Sequence, residues 1–117
     1  MTRFGEYPSA GGWLATVDAL SQDPQIVAVV ERRGLTMDVV LAVAYAVADA
    51  ADPTGLVTES PGQLAVRAGL PRRIVARTLV GLGSAGLLSR VAPPSAQGHS
   101  HHQLHLPAHA SDAGIWP

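Results

Sequence analysis

The chain has no cysteine, no lysine and only five aromatic residues in 117, and no acid lies between Glu59 and Asp112. Each shortage excludes something. Without cysteine there are no disulfides, no thiolate zinc ligands and no cysteine nucleophile. Without lysine there is no phosphate-cradling P-loop. With few aromatics, the 47% of apolar residues must build a core from Ala, Val and Leu, which suits closely packed helices. The longest apolar run, Val39–Ala48, has ten residues between Asp38 and Asp49. A membrane span needs roughly twice that length, so the run reads as a buried helix. Residues 1–8 lack a basic region leading into a long apolar stretch. No signal peptide is therefore expected, and the reading is a soluble, cytoplasmic protein.

What is present is a sharp division of charge. Residues 1–59 hold three arginines against eight acids and sum to −5. Residues 60–111 hold Arg67, Arg72, Arg73, Arg77 and Arg90 and sum to +5, and Asp112 completes the total of −1. A one-signed basic half of a small domain is the electrostatic footprint of a polyanion binder. An ordinary solvated helix face mixes signs. All eight basic residues being arginine is explained by codon bias in a GC-rich bacterial or phage genome, beside abundant Ala, Gly and Pro.

Start and stop signals organise the chain. Ser9 can cap a helix to about Ser21, with Trp13, Leu14, Val17 and Leu20 on one face. Asp23-Pro24 starts a second helix through Ile26 and Val30 to Arg33, before Gly34. Thr36 caps a third, apolar at Val39, Val40, Val43, Ala44 and Val47, which stops before Asp52. Gly55-Leu56-Val57-Thr58 is enough for a short strand. Ser60-Pro61 opens a fourth helix to Ala68, Gly69 breaks it, and Leu70-Pro71 turns the chain. The fifth helix runs from about Pro71 to Ala85, with Val75, Leu79 and Leu82 inward, and Gly86 is placed to end it in a left-handed conformation. Leu87–Val91 and Gln103–Leu106 read as strands of a hairpin whose polar tip spans Pro93–His102.

Helix, short strand, helix, turn, helix and hairpin is the layout of a winged helix-turn-helix. The segment Leu35–Val91 resembles the winged helix-turn-helix domains of bacterial and phage regulators and replication proteins. The likeness rests on Gly55-Leu56-Val57, Ser60, Leu64-Ala65, Gly69-Leu70, Arg72-Arg73, Val75-Ala76-Arg77-Thr78-Leu79, Leu82 and Ala85-Gly86-Leu87-Leu88. Pro71 departs from the usual Ser, Thr or Asp cap, and Gly81 and Gly83 replace helix formers at about 1 kcal/mol each relative to Ala. The expected fold is therefore mainly α with a small β-hairpin wing. Residues 1–34 would form an N-terminal helical extension, 35–106 the DNA-binding domain and 107–117 a flexible tail.

Helical spacing turns Arg72, Arg73, Ala76, Arg77 and Val80 away from the core, with Arg73 and Arg77 pointing the same way. Such a face fits the major groove of duplex DNA, where Arg bridges guanine O6 and N7 and Ala meets a thymine methyl. Ser60 and Gln63, at the start of the fourth helix, would offer backbone N–H groups to a phosphate. Arg67 and Arg90 are placed for backbone contact. Apolar Trp13, Leu14, Val17, Ile26 and Val30 suggest a dimer interface, which would present two recognition helices to adjacent half-sites.

His99, His101 and His102 fall in the expected wing tip. His-x-His-His is a metal-like tract. With no cysteine or spaced acid to complete a shell, the reading is no metal and a wing that contacts DNA. No glycine-flanked nucleophile turn accompanies the Ser, His and Asp residues, so no enzyme activity and no cofactor are expected. The functional expectation is a small homodimeric, nucleoid-associated regulator binding double-stranded DNA in a sequence-specific way, as a repressor. The alternatives are a plasmid or phage replication, partition or transfer accessory protein, and a winged helix used for protein–protein interaction.

Overall fold

Local capping chemistry fixes where most of the helices begin in the computed structural model, which describes residues 9–91 and 101–106. Helix α1 (Ala10–Leu20) starts at Ser9, whose Oγ accepts the Gly12 N–H at 3.1 Å. Helix α2 (Pro24–Arg32) starts at Asp23, whose carboxylate accepts the Gln25 N–H at 2.9 Å, with Pro24 where no N–H is needed. Helix α3 (Met37–Ala50) is capped by Thr36 through the Val39 N–H. Helix α4 (Pro61–Ala68) carries a full capping box. Ser60 Oγ accepts the Gln63 N–H at 3.2 Å, and Gln63 Oε1 accepts the Ser60 N–H at 2.8 Å.

Helix α5 (Arg72–Ser84) is the exception. Its cap position is Pro71, which makes no side-chain cap hydrogen bond. The helix nevertheless continues through Gly81 and Gly83. Gly69, at φ +70°, ends α4 in the left-handed region and reverses the chain toward α5. Between α3 and the first strand, Asp52 Oδ1 accepts the Thr54 hydroxyl at 2.6 Å and the N–H groups of Thr54 and Leu56. The Thr54 hydroxyl above all, and then the Leu56 N–H, hold the Asp52 carboxyl below its ordinary range.

Three short strands, β1 (Leu56–Val57), β2 (Leu88–Val91) and β3 (His101–Leu104), form one antiparallel sheet in the order β1-β3-β2. The molecule is therefore mainly helical with a small three-stranded sheet. The last strand lies two residues earlier than the expected Gln103–Leu106. The physical reason is that burial does not alternate along β3, where His101 and His102 are half-buried and the two residues after them are both covered. Neighbouring Gln103 and Leu104 are both buried, and Gln103 Nε2–H donates to Thr54 O at 2.8 Å. His101 and His102 consequently sit in a strand opposite Val91 and Arg90, not at a hairpin tip.

The core joins Trp13, Val17 and Val30 to Val43, Val47, Leu64, Val75, Leu79, Leu82, Leu87 and Leu104. Trp13 is completely buried, and its Nε1–H donates to Leu87 O at 2.8 Å across 74 residues of chain. The described part of the N-terminal helical extension thus shares one core with the rest. The expected dimer interface is used in the same way. Trp13, Val17, Ile26 and Val30 are buried within the single chain, and Leu14 packs half-buried against its core. The reason is that α1 packs along α3 and α2 also meets it, so these apolar side chains are covered within the chain. Among the described residues no helix is long and apolar enough to cross a membrane. The tail at 1–8, the stretch 92–100 with His99, and 107–117 lie outside the described residues.

Candidate nucleic-acid interface

The inward turn of Val75, Thr78, Leu79 and Leu82 leaves Arg72, Arg73, Arg77 and Val80 exposed on the other side of α5, with Ala76 partly covered between them. Arg72 leans back toward the first turn of α4, where a Cβ on Gly62 would lie 3.8 Å from its Cδ and Nε. Arg77 reaches the opposite way, and a Cβ on Gly34 would lie 3.5 Å from its Nη1. Between α5 and the sheet runs an open groove of about 630 Å³, bordered by Pro61, Arg72, Ala76, Val80, Arg90 and His102. Arg90 and His102 face each other across the β2–β3 ladder. Two arginines thus stand at the edges of a trough floored by small and apolar side chains.

Ion pairing sorts the arginines sharply. Among the described residues only Arg67 is paired with carboxylates. It donates to Glu59 from Nε at 3.1 Å and Nη2 at 2.5 Å, and to Asp49 from Nη1 at 2.5 Å. Its hydrogen bond holds the Glu59 carboxyl below its ordinary range, and the bond to Glu59 above all raises Arg67 itself. The guanidinium expected as a phosphate anchor is therefore already flanked by two anions. Its effect on the surface is to occupy Asp49 and Glu59. Arg72, Arg73, Arg77 and Arg90 have no carboxylate contact among the described residues.

The helix starts differ from expectation in a related way. The N–H groups of Ser60 and Gln63, read as phosphate donors, bond each other's side chains in the capping box. Pro61 has none, which leaves that of Gly62, beside Arg72. At α5 no side chain caps the start, so the N–H groups of Arg72 and Arg73 make no cap hydrogen bond. His101 and His102 are partly buried in β3, with His102 on the groove, and His99 lies outside the described residues. No cluster of three metal-ligating side chains occurs among the described residues.

One cation was missed by the sequence reading. Arg33, at the end of α2, lies beside α5, where a Cβ on Gly81 would come within 4.0 Å of its Cδ. It is exposed and has no carboxylate partner among the described residues. Summed charge concealed it, because residues 1–59 are net acidic. The doublet Arg32-Arg33 before a helix-ending glycine was the signal available. No protein-family model, curated protein or solved structure matches the chain, so what this surface does must be read from its own geometry.

Proposed function

We propose that this protein binds double-stranded DNA in a sequence-specific way, with α5 as the recognition helix of a winged helix-turn-helix and β2–β3 as the base of its wing. The observation that carries the reading is the set of four arginines, Arg72, Arg73, Arg77 and Arg90, exposed on or beside α5 with no carboxylate partner among the described residues, in a stretch of sequence without acids. A B-form major groove is about 12 Å wide and admits one helix. Arg73 and Arg77 can then meet guanine edges, with Ala76 and Val80 against thymine methyls. Arg72, beside Gly62, and Arg90, across the groove, suit phosphates. The role in the cell is regulation by occupying DNA, as a small repressor; a replication or partition accessory would use the same surface.

Binding of duplex oligonucleotides, read by gel shift at graded salt, tests this. Duplex binding that weakens as salt rises is expected, with preference among sequences. Replacing both Arg73 and Arg77 by Ala should abolish the preference, whereas Arg90→Ala should weaken all duplexes alike and lower the salt slope by about one. Retained preference in the double variant would remove α5 as the reader. No binding to any duplex would leave the arginine face as a protein-docking surface.

A further inference from the structure

We propose that Arg33 is a DNA-backbone contact on the flank of α5 opposite the wing, so that the recognition helix is bracketed by cations on both sides. This rests on the duplex-binding reading above. Arg73, Arg77 and Gly81 succeed one another at four-residue intervals along one line of α5. Arg77 leans over Gly34, and the Arg33 stem lies over Gly81. The α2–α3 turn therefore extends that line of cations off the helix, away from the groove bordered by Arg90 and His102.

A helix lying in a major groove has a phosphate backbone along each side. The wing side is served by Arg72 and Arg90, and without Arg33 the other side has only the two residues assigned to bases. Arg33 is exposed, is unpaired with any acid among the described residues, and carries its charge at the end of a long stem. Glu31, two residues before it, is also exposed and makes no ion pair with it. The partner that this geometry suits is a phosphodiester backbone running beside the α2–α3 turn, contacted without reading sequence.

Fluorescence anisotropy with a random-sequence 30-base-pair duplex across a salt series tests the assignment. Arg33→Gln should lower the log–log salt slope by about 0.9 and weaken binding roughly eight-fold at 0.1 M salt, equally for all sequences. Arg33→Lys should keep most of the slope, and Arg32→Gln, which removes the same charge from the same helix end, should change it little. An unchanged slope in Arg33→Gln would overturn the assignment while leaving duplex binding in place; equal losses in Arg32→Gln and Arg33→Gln would overturn it as a diffuse field effect. Phosphate-ethylation interference on the preferred duplex gives an independent reading with the unaltered protein. Interference on both flanks of the recognised groove supports the contact, and interference confined to the flank weakened by Arg90→Gln overturns it. Absence of duplex binding by the unaltered protein defeats the underlying function.

Discussion

Replacing Trp13 distinguishes a core indole from an interface indole, and its effect can be worked out in advance. The side chain is completely buried, and its Nε1–H bonds Leu87 O at 2.8 Å. That carbonyl also accepts the His105 N–H at 2.9 Å, so removing the indole does not leave it unsatisfied. Trp13→Phe loses one hydrogen bond, about 0.5–1.5 kcal/mol, without the larger penalty of an orphaned partner. The lost ring volume adds about 1 kcal/mol, and Trp13→Ala should cost about 3–5 kcal/mol. At roughly 4 °C per kcal/mol for a domain of this size, Trp13→Phe should lower Tm by about 6–10 °C. Urea denaturation followed by circular dichroism, at widely separated protein concentrations, is the assay. The midpoint should fall with m unchanged and show no dependence on concentration. A loss below about 1 kcal/mol in Trp13→Ala would refute the packing argument. So would a wild-type midpoint that rises with protein concentration and ceases to do so in the variant, because the indole would then be seated in a second chain.

Three further substitutions probe the scaffold. Gly81→Ala should stabilise by about 0.5–1 kcal/mol in thermal melts, since it restores helix propensity beside an apolar cavity of about 40 Å³ and its Cβ meets only Arg33 Cδ at 4.0 Å. Gly69→Ala should destabilise by about 1–2 kcal/mol, because φ at that turn is +70°. The Glu59 carboxyl is depressed by Arg67, so its contribution is complete above the ordinary value of 4.5 and lost as pH falls through its lower folded value. Glu59→Gln should therefore lower Tm at neutral pH and flatten the acid limb of a Tm–pH profile. Asp52, depressed by Thr54, keeps part of that limb, and an unchanged profile would show that the Arg67 pairing contributes nothing to stability.

What was legible in the chain was local. Ser9, Asp23-Pro24, Thr36 and Ser60-Pro61 announce their helices locally, and each makes the cap its spelling implies. What escaped was anything closed over distance. Nothing near Arg67 in sequence indicates that Asp49, 18 residues back, shares it with Glu59, or that Trp13 will find the carbonyl of Leu87. An apolar helix face looks the same whether its cover is a partner chain or another helix of the same chain, which is why Trp13, Val17, Ile26 and Val30 read as an interface. Strand β3 was displaced for a similar reason, since alternation marks a strand with one wet face, whereas neighbouring Gln103 and Leu104 are both buried, Gln103 by a bond to Thr54 O 49 residues away.

The same distinction between charge counted and charge placed bears on the arginine surface. A sum of +5 over residues 60–111 includes Arg67, which two carboxylates neutralise, and omits Arg33, which lies in the acidic half. Among the described residues, placement leaves five arginines around α5 without a carboxylate partner, namely Arg33, Arg72, Arg73, Arg77 and Arg90. If all five ended on phosphates, the log–log salt slope of duplex binding would approach about −4.5. If Arg73 and Arg77 instead meet base edges, only three release phosphate counterions and the slope falls to about −2.7. The measured slope therefore separates a reader with two base-contacting arginines from a surface that grips backbone alone. With a whole-chain charge of −1, little long-range attraction is available to blur that difference. A slope near the steeper value, together with binding indifferent to sequence, would assign α5 to the backbone and leave base recognition without a helix to perform it.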